Sequence, residues 1–342
     1  MDIDERMRIV TRNIQEVLTE EELRKLLQEK DHPAVYLGTT PTGRPHIGYF
    51  VWGIKLTDFL QAGFHVKILL ADIHAALDNT PWDLLEKRYE YYSIVIPAML
   101  EALGADLSRF EIVKGSSFQT KPEYVFDMWK LSGVVTVHDA HKAASEVVKM
   151  GDNPKLAGLI YPIMQALDEE YLGVDVQYGG VDQRKIFVLA RESMPKVGYR
   201  ARVHIMTPLV PGLTQGGKMS SSVKGSKIDL IDDEQTVLSK LRDAYCPEGE
   251  VEGNGVLAFA KHVLMTIKQD RGEELVIERP ERFGGPVSFA RYEDLEGAYA
   301  AKRIHPLDLK AAVAREVNLL LAPIRSRMQG KEHLIAAAYP EN

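Results

Sequence analysis

Short apolar runs separated by helical patterns restrict the fold of this 342-residue chain more than any other feature. Residues 34–38 form one such run, followed by a Thr/Pro/Gly loop at 39–45 and a helical pattern from His46 to about Gln61. The next run, HVKILLA at 65–71, is nearly continuous in apolar residues, as a parallel strand covered on both faces should be. Further runs at 110–113, 174–178 and 203–206 alternate with helical stretches near 121–131, 136–149, 154–171 and 182–194. Strands alternating with helices predict an α/β fold built on a doubly wound parallel sheet.

The flanking segments read differently. Residues 5–30 read as helix, because Thr19 and Glu22 have capping-box spacing and Leu23, Leu26 and Leu27 fall on one face. A helix over 82–103 contains Pro97, which should kink or divide it. From Asp232 onward strand signals fade, and helices are expected at 232–245, 254–268, 292–300 and 306–328. The Gly/Ser/Lys stretch 212–227 suits a mobile loop and marks the boundary. The expected layout is a helical preface (1–30), an α/β domain (31–227), a smaller helical domain (228–328) and an unassigned tail (329–342). That matches the about two domains such a length allows, with roughly three quarters of the unfolded surface available for burial.

With 45% hydrophobic and 27% charged residues and no long apolar run, the composition disfavours disorder, collagen, coiled coil and a membrane span. The opening MDIDERMRIV carries acids where a signal peptide needs basic residues, and Cys246 is the only cysteine. A cytoplasmic protein without disulfides or a cysteine zinc site is expected. A net charge of −7, from 42 basic and 49 acidic residues, argues against coating nucleic acid by bulk electrostatics. Any RNA partner must be held by local patches.

In open parallel sheets ligands sit beyond the carboxyl ends of the strands, which points to the segment from Gly38 to Tyr49. Gly48 in the first helical turn leaves room for a flat ring against backbone, and His46 can donate a hydrogen bond to phosphate. Helix-start amides add partial positive charge. Taken alone, a histidine near a helix start such as His46 is more often an ordinary cap or surface residue. A second segment, Gly212 to Ser222, satisfies G-x-x-x-x-G-K but has Met219 where a P-loop needs Ser or Thr for magnesium, and it lies late in the sheet. The P-loop reading fails. What remains is a loop carrying Lys218, Ser220, Ser221 and Ser222, suited either to closing over a polyphosphate or to a solvated linker.

His46-Ile-Gly-Tyr49 and Lys218-Met-Ser-Ser-Ser222 together resemble the HIGH and KMSKS signatures of class I aminoacyl-tRNA synthetases. Between them, the stretches Tyr161-Pro-Ile-Met-Gln165-Ala-Leu-Asp168, Tyr171-Leu-Gly-Val-Asp175 and Gly179-Gly180-Val-Asp182-Gln183-Arg184-Lys185 are similar to tyrosyl-tRNA synthetases of the archaeal and eukaryotic type. The similarity runs from about residue 5 to Met328. It implies a Rossmann-type catalytic domain that joins L-tyrosine to ATP, releasing pyrophosphate, and then passes the tyrosyl group to the 3′-terminal ribose of tRNA(Tyr). Magnesium would arrive with ATP, without a dedicated protein metal site.

By the same resemblance, His46 contacts ATP phosphates, Gly48 lies beneath adenine or ribose, and Lys218 reaches pyrophosphate with help from Met219, Ser220, Ser221 and Ser222. Asp182 binds the ATP ribose beside Gly179 and Gly180. Tyr49 replaces the second signature histidine and is given no catalytic role. Tyr36 and Asp168 match the pair that hydrogen-bonds the substrate phenol, while Tyr161, Gln165 and Gln183 match the residues that hold its amino and carboxylate end. Tyr161, Gln165 and Asp168 stand at i, i+4 and i+7, on one helix face. His74 and Gln119 are expected to line the same pocket. On the tRNA side, Arg184 and Lys185 correspond to a pair that reads the first acceptor base pair, and Lys142 aligns with an arginine. Phe283, His305 and Asp308 correspond to contacts with the first anticodon base. The region 105–150 corresponds to a dimer-forming insertion, implying a homodimer with acceptor stem and anticodon on different subunits. The rival readings are a tryptophanyl-tRNA synthetase, against which Tyr36 and Asp168 argue, a small-metabolite nucleotidylyltransferase, and an RNA-binding paralogue without charging activity.

Overall fold

Five of the apolar runs become parallel strands. The structure, a computed structural model, describes residues 1–148, 151–216 and 227–340. Its main sheet holds β1 (Glu16–Leu18), β2 (Ala34–Thr39), β3 (His65–Leu70), β4 (Phe110–Lys114), β5 (Val176–Gly180) and β6 (Val203–Thr207). The strand order is β1-β6-β5-β2-β3-β4. Strands β6, β5, β2, β3 and β4 run parallel, and the order reverses between β2 and β5, so the switch point opens at the carboxyl ends of those two strands. Val35, Val66, Ile68, Leu70, Val176 and Ile205 are buried in one apolar core, which is why these runs lack the polar alternation of a half-exposed sheet.

The sheet is not wholly parallel, because β1 pairs antiparallel with β6. The same strand corrects the single helix expected over 5–30. The chain forms α1 (Ile3–Thr11), turns at Asn13 with φ 54, pairs as β1, and resumes as α2 (Glu20–Glu29). Pairing starts where the Gln15 amide donates to the Met206 carbonyl at 2.7 Å, so the open edge of β6 takes backbone groups that a helix would have used. Thr19 does cap α2, its hydroxyl accepting from the Glu22 amide at 3.2 Å.

Beyond β2 lie α3 (Tyr49–Gln61), α4 (Asp72–Leu77) and α5 (Leu85–Ala102), the last running unbroken through Pro97. Tyr91, Tyr92, Val95, Ile96, Met99 and Leu100 are fully buried along α5, and this packing outweighs the missing proline amide. Next come α6 (Ser116–Gln119), α7 (Pro122–Ser132), α8 (Val137–Ala144), α9 (Leu156–Tyr171) and α10 (Arg184–Ser193). The strand-poor part holds α11 (Glu234–Asp243), α12 (Gly255–Phe259), α13 (Thr266–Arg271), α14 (Tyr292–Ala300) and α15 (Pro306–Met328). The helix expected over 254–268 is interrupted by a π-type segment, Ala260–Met265. An antiparallel pair also appears where no strand was expected, β7 (Leu275–Ile277) with β8 (Val287–Phe289).

The stretch after Met328 forms α16 (Glu332–Ala338) and docks on the loop ahead of His46. The Tyr339 hydroxyl donates to the Gly43 carbonyl at 2.8 Å. Arg88 donates to the Ala338 and Thr42 carbonyls and lies 4.9 Å from the centre of the Tyr339 ring.

Candidate active site

His46, Gly48, Gln165, Gly180, Asp182 and Gln183 share a cleft of about 280 Å³ at the switch point. The backbone on either side of His46 is pinned by an antiparallel bridge: the Ile47 amide donates to Ile228 O at 2.9 Å and the Leu230 amide to Pro45 O at 3.0 Å. His46 Nδ1 accepts from the Gly48 amide at 3.2 Å, which leaves the ring proton on Nε2. Burial, and secondarily the charge of Lys227, push its pKa down to about 3, so the imidazole is a neutral donor. Tyr49 meets the His46 ring edge-on at 5.0 Å and bonds Tyr92 through its hydroxyl, forming a wall of the cleft. Lys218, Met219, Ser220, Ser221 and Ser222 lie outside the described residues.

The two glycines after β5 make room for the protein's own groups. A Cβ on Gly180 would stand 2.7 Å from Asp182 Oδ1, and one on Gly179 would stand 2.9 Å from the Phe187 ring and 3.1 Å from Gln183 Cγ. Asp182 and Gln183 can therefore turn back over the strand end into the cleft.

Beneath the cleft the polar groups are enclosed. Tyr36 is fully buried on β2; its hydroxyl donates to Gln165 O at 3.1 Å and accepts from Gln177 Nε2 at 2.5 Å. Asp168, fully buried on α9, accepts through Oδ1 from Gln119 Nε2 and from the Tyr124 hydroxyl, both at 2.8 Å. Among the described residues, Asp168 Oδ2 and His74 Nε2 have no hydrogen-bond partner, and they face each other at 3.8 Å. Burial pushes the Asp168 carboxyl up to about 7 despite those two donors, and pushes His74 down to about 4, which keeps it neutral. The Tyr161 ring packs edge-on against His74 at 4.6 Å, and Gln165 donates to Gln183 at 3.0 Å. One face of α9 thus carries Tyr161, Gln165 and Asp168 into the site, as their spacing predicts. Gln177 and Tyr124 also belong to this cluster, although neither is predicted from the sequence. Gln177 left a trace, an amide inside the otherwise apolar end of β5; Tyr124 left none.

Beside the cleft with its neutral imidazole, this cluster thus holds, among the described residues, an unpartnered buried acceptor, Asp168 Oδ2, and a buried hydroxyl, Tyr36, that donates to a backbone carbonyl. Residues 28–322 match the family model of class I tRNA synthetases (W and Y). The chain belongs to that family. It is 52% identical to the cytoplasmic tyrosine–tRNA ligase of Danio rerio, across 99% of this chain and 64% of that protein, so it spans under two thirds of that relative's length. Against the tyrosine–tRNA ligase of Haloarcula marismortui it is 44% identical over 100% of this chain and 99% of that one. The tyrosyl-tRNA synthetase of Archaeoglobus fulgidus, solved with L-tyrosine, superposes with a TM-score of 0.88 at 42% identity, covering 96% of this chain and 100% of that one. A tryptophanyl-tRNA synthetase from Aeropyrum pernix shares the fold, with a TM-score of 0.70 at 19% identity over 94% of this chain and 84% of that one.

On the surface, Arg184, Lys185 and Lys142 line one shallow depression together with Asp139 and Glu192. Arg184 makes a two-pronged ion pair with Glu16 at 2.7 and 2.8 Å, and Lys185 pairs with Glu146 at 2.7 Å. Farther along, Phe283 is 60% exposed with the Arg282 guanidinium 4.9 Å from its ring centre. His305 caps α15, its Nδ1 accepting from the Leu307 amide at 3.2 Å, and Asp308 stands in the first turn of that helix. Arg279 ties the Phe283 turn to this corner by donating to both Gly285 O and Arg303 O. Among the described residues, no group of three or more His, Cys, Asp or Glu side chains is arranged to hold a metal ion, and no helix is long and apolar enough to cross a membrane.

Proposed function

We propose that this chain is a tyrosine–tRNA ligase, which forms tyrosyl adenylate and pyrophosphate from L-tyrosine and ATP and then transfers the tyrosyl group to the 3′-terminal ribose of tRNA(Tyr). The observation that carries the reading is the enclosed pair Tyr36 and Asp168. A phenolic O–H donates to the unpartnered Asp168 Oδ2 while its oxygen accepts from Tyr36. Phenylalanine leaves Asp168 Oδ2 without a partner in a buried site and gives Tyr36 nothing to bond; tyrosyl-tRNA synthetases are themselves the standing example of rejection of that kind, which works without an editing step. Tyr161, Gln165 and Gln183 hold the amino and carboxylate end, with His74 and Gln119 walling the ring.

The tyrosine carboxylate is already ionised, so its attack on the α-phosphate needs no general base. Positioning and stabilisation of phosphate charge supply the rate. His46 Nε2–H and the start of α3 face the phosphates, Gly48 and Gly180 lie against the nucleoside, and Asp182 holds the ribose. Lys218, with Met219, Ser220, Ser221 and Ser222, reaches the leaving pyrophosphate. Magnesium enters as the counter-ion of ATP.

Residues 31–227 carry this chemistry, and 228–328 read the anticodon through Phe283, His305 and Asp308. Arg184, Lys185 and Lys142 receive the acceptor stem. The segment 105–150 forms a homodimer contact, a reading supported by the exposed apolar side chains of Phe126, Trp129 and Val137. The names of the vertebrate and yeast relatives support a cytoplasmic location.

The test is ATP–pyrophosphate exchange with each of the twenty amino acids, followed by charging of tRNA(Tyr) transcripts. Exchange driven by tyrosine is expected. Preference for tryptophan overturns the substrate, and exchange without tRNA charging overturns the ligase.

A further inference from the structure

A row of polar side chains crosses the sheet behind the phenol pocket. Tyr36 on β2 is in register with Gln177 on β5, and Gln177 is in register with His204 on β6, so all three project from the same face of neighbouring strands. Each is almost wholly buried. Helix α9 lies over the row: the Gln165 carbonyl meets the Tyr36 hydroxyl at 3.1 Å, and Glu169 Oε1 meets His204 Nε2 at 2.7 Å. The Phe187 ring stacks on His204 at 4.8 Å and fixes its plane.

The row has a direction. An amide nitrogen only donates, so Gln177 Nε2 takes up a lone pair of the Tyr36 oxygen and bars the phenolic proton from that side. The Tyr36 proton must then point toward Gln165 O or toward an oxygen entering the pocket. Desolvation raises the Tyr36 pKa well above its ordinary value, so the proton is retained. A glutamine turned the other way would accept the proton and present only lone pairs to the pocket.

Packing does not explain this arrangement. Gln177 Oε1, His204 Nδ1 and Glu169 Oε2 are buried without a hydrogen-bond partner among the described residues, and an apolar row would be the less costly way to fill the space. What the amide adds is a donor behind Tyr36.

We infer that Gln177 is a specificity-determining positioning residue: by donating to the Tyr36 oxygen, it makes Tyr36 a hydrogen-bond donor to the hydroxyl of a phenolic substrate. The inference rests on the tyrosine-activating reading above. Asp168 takes the substrate proton, Tyr36 gives one to the substrate oxygen, and Gln177 prevents that second bond from reversing. Its chemistry is selection of a substrate hydroxyl, with no part in handling ATP.

The experiment is pyrophosphate exchange with tyrosine and with phenylalanine for wild type, Gln177→Leu and Gln177→Asn, the last withdrawing the amide from Tyr36 by one methylene. The ratio of kcat/KM for tyrosine over phenylalanine should fall about tenfold in both variants, the worth of one buried hydrogen bond. The fall should come through the KM for tyrosine, with the KM for ATP unchanged. In a Tyr36→Phe background, Gln177→Leu should produce no further fall, because it acts through that hydroxyl. A ratio unchanged in a soluble variant, or an equal additional fall in the Tyr36→Phe background, overturns the inference; if the leucine variant does not fold, the asparagine variant decides. Wild-type protein that shows no tyrosine-dependent exchange overturns the substrate reading instead.

Discussion

The polar cluster under α9 and the charged depression around Arg184 are two ways of building a recognition surface. In the pocket, Asp168, His74 and Tyr36 are removed from water, and each polar atom either has a partner or visibly lacks one. In the depression, Arg184 and Lys185 are partly exposed and already paired with Glu16 and Glu146. A buried unpaired group transfers its whole desolvation cost to the choice of ligand, whereas an exposed ion pair exchanges partners at little cost. The first arrangement suits one small molecule that must be told from a near-identical one. The second suits a large polyanion whose phosphates can take over the arginine.

Three substitutions test this contrast, taken in order of expected effect. His46→Ala, at the mouth of the cleft, should lower the rate of adenylate formation about 10²-fold or more, as loss of a preorganised donor to developing charge does. The tyrosine dissociation constant, read by equilibrium binding, should stay nearly unchanged, and an equal loss in both would remove His46 from the phosphate side.

Asp168→Asn should lower kcat/KM for tyrosine about 10- to 100-fold, the range for a hydrogen bond to a charged acceptor, measured by exchange. It also carries a pH signature. The wild-type carboxyl titrates at about 7 in the folded protein, so tyrosine kcat/KM should rise with pH through that value, and the asparagine variant should be flat there. Stability runs the opposite way. Because the folded pKa lies above the ordinary aspartate value of 3.8, the native state holds a proton that the unfolded state has lost between those limits, and stability falls as pH rises from about 4 through 7. Denaturant titrations at pH 5 and pH 8 should show wild type losing more stability over that span than Asp168→Asn. Equal losses would mean that the buried carboxyl stays ionised throughout.

Arg184→Gln should give the smallest effect, leaving exchange untouched and raising the KM for tRNA a few-fold, with the salt slope of tRNA binding shallower by about one unit. A change in exchange rate would tie the depression to the pocket and end the distinction drawn above.

Much of this architecture is written in local patterns. Continuous apolar runs predict β2 to β6 because a parallel strand is covered on both faces, and the i, i+4, i+7 spacing of Tyr161, Gln165 and Asp168 needs only the pitch of one helix. Helix α15 starts at Pro306 and ends at Met328, the bounds its sequence predicts, since His305 and Pro306 form a local cap. What could not be read depends on distant partners. Strand β1 is three residues long and exists because β6 offers an edge; β7 and β8 are equally short. Gln177 matters through its register with Tyr36, set by a pairing of segments far apart in the chain, and Tyr124 looks like any aromatic on a half-buried helix until Asp168 is placed beside it.

The loop ahead of His46 is held by residues made at very different times. Arg88 and Tyr92 grip the Thr42 and Gly43 carbonyls, but the Tyr339 hydroxyl joins them on Gly43 only from the other end of the sequence. On the ribosome, then, the sheet and its phenol pocket can assemble while this corner still lacks one of its three anchors. The last of these bonds forms only after residue 339 has left the exit tunnel.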